Sequence, residues 1–358
     1  MSPARSVTID GRRIAADTSP YVIAEMSGNH NGNIDRAKAL ITAAKEAGAD
    51  AVKLQTYTGD TLTIRSDRPE FRIKGGLWDG KTLYELYEEA HTPWGWHAPL
   101  FEHAHKVGIT IFSSPFDLTA VDLLESLGAP AYKIASAELV DWGLLERVAH
   151  TGKPVIISTG MANDVDITES LGVLRKHGCE EIILLHCISE YPTPIERASL
   201  GRIQYLAAQH DAVIGLSDHS MGETVAITSV ALGACLIEKH FTLARADGGV
   251  DSAFSLEAAE LKSFCEGIRD AYAAIGVGQD LSRTEPTKNK YIFRRSLYVV
   301  EPVAAGEVLT HKNVRSIRPG LGLEPKHLQT VLGRRASCAI EAGTPLSWGL
   351  VEGGGVDG

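Results

Sequence analysis

The feature that most constrains the fold is an eightfold alternation of short apolar runs with helical patterns. The runs are YVIAE at Tyr21–Glu25, AVKLQ ending at Gln55, ITIFSS ending at Ser114, AYKIAS ending at Ser136, VIIST ending at Thr159, IILLHC ending at Cys187, VIGLSDH ending at His219 and LIEKH ending at His240. Apolar strands that alternate with helices indicate a parallel sheet covered on both faces, and eight such units close a barrel. The sequence therefore predicts an α/β fold, a (β/α)8 TIM barrel.

The alternation stops before the end of the 358-residue chain. Residues 276–292 are polar and rich in turn formers, which is typical of a linker. From residue 293 to residue 352, short β-type runs are separated by Gly and Pro turns, as in a small β-rich domain. We therefore expect a barrel over 1–275, a linker, a second domain over 293–352, and a disordered tail over 353–358.

Composition excludes several classes of protein. Hydrophobic residues make up 44% and charged residues 22%, values close to those of globular chains. A formal charge of −10 argues against a nucleic-acid partner, which requires clustered Lys and Arg. No apolar run reaches the roughly 20 residues of a membrane span or forms a signal peptide, so we expect a cytoplasmic protein without a membrane partner.

The five cysteines are odd in number, far apart and never in a C-x-x-C pair. This pattern fits a reducing compartment and neither a disulfide framework nor a zinc ribbon. Cys187, which ends a predicted strand, is interpreted as a small core residue; the alternative, a nucleophile, lacks an obvious base beside it.

A long insertion, residues 56–108, separates the second and third predicted strands. It contains Gly75-Gly76, Trp94 and Trp96, and a helical stretch around Thr82 to Ala90. Because loops of this length are uncommon unless they are functional or disordered, we interpret it as a lid, with a decorated surface loop as the alternative.

Most of the predicted strands end in polar residues, and in such barrels the carboxyl ends of the strands carry the active site. His219 and His240 end neighbouring strands, so their imidazoles can meet at one divalent cation, with Mn²⁺, Zn²⁺, Fe²⁺ or Co²⁺ preferred over Ca²⁺. Glu238 lies two residues before His240 on the same strand face and is expected to bind or position a metal-bound water.

Lys53 and Lys133 lie near the ends of the second and fourth strands. Together with Ser136, Ser158 and Ser217 they are expected to bind a phosphate and a carboxylate, because two ammonium groups and a ring of hydroxyls suit a dianion. The alternative is a Schiff base between one lysine and a carbonyl substrate.

Two further residues are candidates. Glu25 ends the first strand before a turn-rich loop and is interpreted as a general acid or base, the alternative being a salt bridge to a rim lysine. Arg318, in the Pro/Gly turn RPGLG, either presents its guanidinium to an anion or is an ordinary surface residue.

At these residues the chain closely resembles the bacterial sialic acid synthase family, and most closely its pseudaminic branch. The resemblance runs nearly end to end and rests on AEMSGNHNG, DAVKLQTY, YKIAS, ISTGM, GLSDHS, IEKHFTL and RPGLG, which follow one another in the family's order. The second domain resembles the family's antifreeze-like, or SAF, domain.

The resemblance implies condensation of phosphoenolpyruvate with the open-chain aldehyde of an N-acetylated amino sugar, giving a nine-carbon 2-keto acid and phosphate. It implies that His219 and His240 hold a divalent ion, typically Mn²⁺ with Mg²⁺ or Co²⁺ as alternatives, and that Glu25 handles the proton of the water that adds at C2. It also implies a domain-swapped homodimer in which Arg318 acts in the partner's site.

The resemblance also assigns substrate contacts. Lys53, Lys133, Ser136, Ser158 and Ser217 match phosphoenolpyruvate-binding positions, and the positions matching sugar contacts are Gln55, Glu138, Tyr191 and Asp251. Ser189 stands where sialic acid synthases usually have Asn. The sequence DSAFS, with Phe254, is similar to the pseudaminic branch, and an apolar side chain there suits a 6-deoxy sugar. The implied acceptor is 2,4-diacetamido-2,4,6-trideoxy-L-altrose; acceptors leading to N-acetylneuraminic or legionaminic acid are the alternatives.

Overall fold

Eight parallel strands form a closed barrel, which confirms the predicted fold class. The computed structural model describes residues 5–278 and 290–354. A hairpin of β1 and β2 precedes the barrel, whose strands are the other eight. The strands of this part of the chain are β1 Ser6–Ile9, β2 Arg12–Ala15, β3 Tyr21–Glu25, β4 Ala51–Thr56, β5 Thr110–Pro115, β6 Tyr132–Ile134, β7 Val155–Ser158, β8 Ile182–Cys187, β9 Val213–Asp218 and β10 Leu236–His240.

Helices connect successive strands, as the alternation requires. They are α1 Ile34–Ala47, α2 Gly59–Leu62, α3 Leu83–Ala90, α4 His97–Val107, α5 Leu118–Ser126, α6 Trp142–Ala149, α7 Asp164–Lys176, α8 Gly201–Gln209, α9 Thr224–Ala231 and α10 Ala258–Ile275. The first begins where the Asn33 side chain accepts hydrogen bonds from two backbone N–H groups, and it ends at Gly48, whose φ of 90° is left-handed. The apolar faces of the helices pack against the outward side chains of the strands.

The barrel interior is apolar where the strands begin. Tyr21, Phe112 and Ile156 pack there in a buried cluster with Val7 and Ile14 of the hairpin. Polar contacts tie the hairpin to the same end of the barrel, including an ion pair of Arg12 with Asp50 and a hydrogen bond of 2.9 Å from the Thr8 N–H to Glu181. The β1–β2 hairpin therefore covers the end of the barrel at which the strands start.

The second compact unit contains β11 Ser296–Val299 and β12 Val314–Ile317, which pair in antiparallel register, and the short helices α11 Lys290–Phe293 and α12 Leu328–Val331. Isolated bridges such as Val308 with Arg335 complete a small β-rich body around its own apolar core. Most of the predicted linker and of the predicted disordered tail lies outside the described residues, so both remain predictions.

Among the helices that the structure describes, none is both long and apolar enough to cross a membrane.

Candidate active site

A cavity of about 430 Å³ opens at the carboxyl ends of the barrel strands. Nearly all residues singled out from the sequence line it, although their individual roles are not tested by this placement. The predicted residues in its lining are Glu25, Lys53, Gln55, Lys133, Ser136, Glu138, Ser158, Ser189, Tyr191, Ser217, His219, Glu238, His240 and Asp251.

Strand register brings these side chains together. Glu25 on β3 lies beside Lys53 on β4 and beside His240 on β10, and Glu238 on β10 lies beside Ser217 on β9. Because side chains alternate along a strand, residues two apart, such as Glu238 and His240, both point into the barrel. The intervening residues point outward.

Two lysines and two glutamates form a buried network at the base of the cavity. The Lys53 ammonium is 2.8 Å from a Glu25 carboxylate oxygen and 3.6 Å from Glu238, and Lys133 is 3.2 Å from the same Glu238 oxygen. Burial lowers the pKa of Lys133 because it disfavours the charged amine. Burial acts on Glu238 in the opposite direction, but the two ammonium groups outweigh it and lower the pKa of this carboxyl.

Glu25 is a fully buried titratable group in the lining of the cavity. Burial raises its pKa to about 7, even though Lys53 pulls the pKa down. Gln55 donates a hydrogen bond of 2.8 Å to its other carboxylate oxygen and fixes the orientation of the group. The salt bridge considered as an alternative role for Glu25 is thus present, inside the cavity, and a pKa near neutrality is the property that a general base requires.

The paired histidines fit a divalent cation. Their ring centroids are 5.3 Å apart, and His219 donates its Nδ1 hydrogen to the Ile188 carbonyl at 2.9 Å, so Nε2 is the nitrogen that a metal would use. The Nδ1 atom of His240 is buried without a hydrogen-bond partner among the described residues. Burial, followed by the nearby His219, lowers the pKa of His240 well below its usual value, so its imidazole is in the neutral form that binds metals.

The wall beside the histidines is aromatic. The Tyr191 ring lies 4.3 Å from the His219 ring and 5.4 Å from the Phe254 ring. Phe254 itself is buried behind this wall, against His240, and is not part of the cavity lining. Asp251, which lines the cavity, accepts a hydrogen bond from Ser27.

Close backbone packing shapes the serine side of the cavity. Ser136 accepts a hydrogen bond of 2.9 Å from the Gly160 N–H. A side chain at Gly160 would collide with the Ser189 hydroxyl and lie 2.9 Å from that of Ser136, so only glycine lets the loop after β7 approach these serines.

The insertion between β4 and β5 supplies much of the apolar lining. Its contributors are Leu62, Ile73, Trp78, Leu83, Leu86, Tyr87 and Ala90. Trp78 also donates its indole N–H to the Val250 carbonyl at 2.9 Å, which joins the insertion to the loop after β10. Trp94 and Trp96, the tryptophans that stand out in the sequence of the insertion, do not line the cavity.

Arg318 lies in the second compact unit, where it is exposed. Its guanidinium carbon is 5.9 Å from the centre of the Phe293 ring. Anion binding by Arg318 in the active site of a partner subunit therefore stays a prediction.

An eight-stranded barrel with this rim of lysines, carboxylates and histidines defines a class of synthase, and the comparisons agree. The chain belongs to the NeuB family, whose model matches residues 40–280, and a SAF domain model matches residues 294–352. Its relatives with curated names include synthases of several nonulosonic acids.

Three relatives illustrate the similarity. The chain is 44% identical to pseudaminic acid synthase of Helicobacter pylori, over 92% of this chain and 96% of that protein. It is 37% identical to N,N'-diacetyllegionaminic acid synthase of Campylobacter jejuni, over 88% of this chain and 95% of that one. The crystal structure of N-acetylneuraminic acid synthetase from Leptospira borgpetersenii matches with a TM-score of 0.71 and 30% identity, covering 79% of this chain and 93% of that one.

Proposed function

We propose that the protein is a transferase that condenses phosphoenolpyruvate and water with 2,4-diacetamido-2,4,6-trideoxy-L-altrose, giving pseudaminic acid and phosphate. The observation that carries the proposal is the similarity to a pseudaminic acid synthase over nearly the whole chain, with 44% identical residues against 37% for the legionaminic acid synthase. The cavity supports it, because two buried lysines lie at its bottom and its wall is apolar and partly aromatic.

Phosphoenolpyruvate is proposed to bind at the base of the cavity. The Lys53 and Lys133 ammonium groups, together with the hydroxyls of Ser136, Ser158 and Ser217, are proposed to contact its phosphate and carboxylate. The same two ammonium groups pair with Glu238, so they would also screen the bound anion from that carboxylate. Such preformed donors need little reorganisation during the reaction.

The proposed chemistry makes one carbon–carbon bond and breaks one carbon–oxygen bond. C3 of phosphoenolpyruvate attacks the aldehyde carbon, which becomes C4 of the product, and water then adds at C2. Glu25 accepts a proton from this water, and the tetrahedral carbon expels phosphate as the C2–O bond breaks. The two protons of the water end on the C4 hydroxyl and on the released phosphate.

His219 and His240 would hold a divalent cation, for which we propose Mn²⁺, and when bound it supplies Lewis-acid polarisation of the aldehyde oxygen. Mg²⁺ and Co²⁺ are the alternatives. Glu238, two residues before His240, is proposed to orient water beside the two imidazoles.

The amino sugar is proposed to lie between the aromatic wall and the insertion. Gln55, Glu138, Ser189, Tyr191 and Asp251 offer it hydrogen-bonding groups from several sides of the cavity. Phe254 would act indirectly, by holding the Tyr191 ring in place, since its own side chain is behind the wall.

Assembly completes the proposal. We infer a homodimer in which the second domain of one protomer covers the barrel of the other, so that Arg318 reaches the partner's site. The support is the SAF domain itself and an exposed guanidinium within it.

The test is phosphate release from phosphoenolpyruvate with Mn²⁺, with the trideoxy diacetamido altrose and N-acetylmannosamine offered in parallel and the product identified by mass spectrometry. We expect turnover of the altrose alone, and loss of turnover in EDTA that added Mn²⁺ restores. Turnover of N-acetylmannosamine alone would move the acceptor to the sialic branch. A product trapped by borohydride and formed in EDTA would instead indicate a Schiff-base aldolase.

A further inference from the structure

A second group of metal-binding side chains lies at the end of the barrel opposite the cavity. Glu146 and His150 are one helical turn apart at the end of α6, and His177 follows the last residue of α7. Both helices end where the next strand begins, at Val155 for β7 and at Ile182 for β8. The group is therefore separate from His219 and His240.

The three ligand atoms converge. His150 Nε2 is 3.4 Å from His177 Nδ1, and a Glu146 carboxylate oxygen is 3.7 Å from the same His177 nitrogen. All three lie within 4.8 Å of one another. Two nitrogens that bind one tetrahedral zinc ion, each about 2.05 Å from it, are about 3.3 Å apart. The two imidazoles thus already have the separation that a shared zinc ion imposes.

Without an ion, the three side chains are held by weak contacts, including an edge-to-face packing of the two rings with centroids 5.0 Å apart. A hydrogen bond between the two rings would be long, since N–H donors usually lie about 2.7–3.2 Å from the acceptor. A bound dication would use the same three groups, because imidazole nitrogens and a carboxylate are donors that it prefers.

The carboxyl termini of α6 and α7 also favour a bound cation. His150 and His177 are the residues that cap the carboxyl termini of α6 and α7. The carbonyl groups at a helix carboxyl terminus carry partial negative charge and attract cations. Two such termini beside a carboxylate make this part of the surface suited to a positive ion.

We propose that Glu146, His150 and His177 form a divalent-cation site of the zinc type, with water as the fourth ligand. The ion would join the ends of α6 and α7 and stabilise the fold there. Because none of its ligands lines the cavity, it takes no part in the condensation, and the proposal does not depend on the identity of the amino sugar.

The experiment is a calorimetric titration of the metal-free full-length protein with ZnCl₂, on the wild type and on H150Q/H177Q. We expect the variant to bind one zinc ion fewer per chain and to lose the zinc-dependent rise in Tm that the wild type shows. Comparing the two proteins isolates this site from any ion at His219 and His240. The control H105Q/H311Q, which alters two other exposed histidines, should behave like the wild type.

The single variant H150Q provides a second measurement should the double variant be unstable. It removes one ligand at an exposed position and should weaken zinc binding at the same site. Equal stoichiometry and an equal Tm response in the wild type and in H150Q/H177Q, or an unchanged affinity in H150Q, would overturn the proposal.

Discussion

At the scale of single residues, the pKa of Glu25 is set by two opposing effects. Burial favours its neutral form and Lys53 favours its charged form, with a pKa of about 7 as the result. A general base works only when it is deprotonated, so we expect kcat/KM to rise with pH through about 7. Glu25→Gln should lower the rate about 10²–10⁴-fold and remove this pH dependence, which a pH profile of phosphate release would measure.

Glu138 is a matched control for that experiment. It also lines the cavity, and burial raises its pKa to about 7 as well. In Glu138→Gln the rise in activity near pH 7 should remain. If it disappears in this variant and persists in Glu25→Gln, Glu138 is the base and the role proposed for Glu25 is wrong.

A second prediction concerns an ion pair outside the cavity. Lys239 and Asp218 point outward from β10 and β9, 2.7 Å apart, and each side chain is at most 2% exposed. Asp218→Asn leaves a buried ammonium without its counter-ion and should lower the free energy of unfolding by about 3–5 kcal/mol, measured by urea denaturation. The exposed pair of Arg197 with Glu190 is the control, and Glu190→Gln should cost about 1 kcal/mol or less.

The outcome would also bear on the histidines. Asp218 and Lys239 immediately precede His219 and His240, so the pair fixes the two strand ends that carry them. If Asp218→Asn has the same free energy of unfolding as the wild type, Lys239 must become neutral or reach solvent in the variant, and the prediction is wrong.

The sequence predicts some of these residues and not others, for a physical reason. A polar residue at the carboxyl end of an apolar strand lies at the rim of a barrel, so the positions of Glu25 and His240 follow from the local pattern alone. The direction of a side chain in a loop depends on contacts with distant segments. Trp78, which bonds to Val250 172 residues away, could not be found in this way.

At the scale of elements, the insertion between β4 and β5 is joined to the loop after β10 by the Trp78 indole. Trp78→Phe keeps an aromatic ring, although a smaller one, and removes the hydrogen bond to Val250, a loss of about 0.5–1.5 kcal/mol for the bond. If the insertion closes over the amino sugar, KM for the sugar should rise about 2- to 10-fold with little change in kcat, in steady-state kinetics.

Trp348→Phe, in the second compact unit, makes the same replacement at a residue that does not line the cavity and should leave KM unchanged. A fall in kcat alone for Trp78→Phe, with KM unaltered, would argue that the insertion acts on the chemical step.

Element by element, the eight barrel strands are predicted and the hairpin of β1 and β2 is missed. The barrel strands are continuous apolar runs, which stand out in the sequence. The strands β1 and β2 are only four residues each, but Val7 and Ile9 alternate with polar residues and Asp10-Gly11 supplies the two left-handed turn positions of a tight hairpin, so the sequence does carry a short hairpin signal. They become strands because Val7, Ile9 and Ile14 find an apolar surface at the barrel end.

At the scale of the whole molecule, the proposed exchange of domains can be tested with a dimer that combines two differently inactivated protomers. A dimer of one Glu25→Gln protomer and one Arg318→Ala protomer would contain one site with both residues intact if Arg318 acts in the partner's barrel. The purified mixed dimer should then have about half of the wild-type activity, although each parent variant is impaired. Failure of the mixed dimer to exceed its parents would place Arg318 in the barrel of its own chain.

The β1–β2 hairpin and the apolar side chains packed beneath it close the barrel where its strands start, so the cavity opens only at the carboxyl ends of the strands. Both substrates must therefore enter and leave through the same opening. The substrate that binds deeper in the cavity has to bind first, and the second substrate then prevents it from leaving. Because the lysines lie at the bottom of the cavity and the aromatic wall lies nearer the opening, phosphoenolpyruvate would bind before the sugar. Sugar bound alone would prevent phosphoenolpyruvate from reaching the lysines. The kinetics should therefore be ordered, with excess sugar competing against phosphoenolpyruvate.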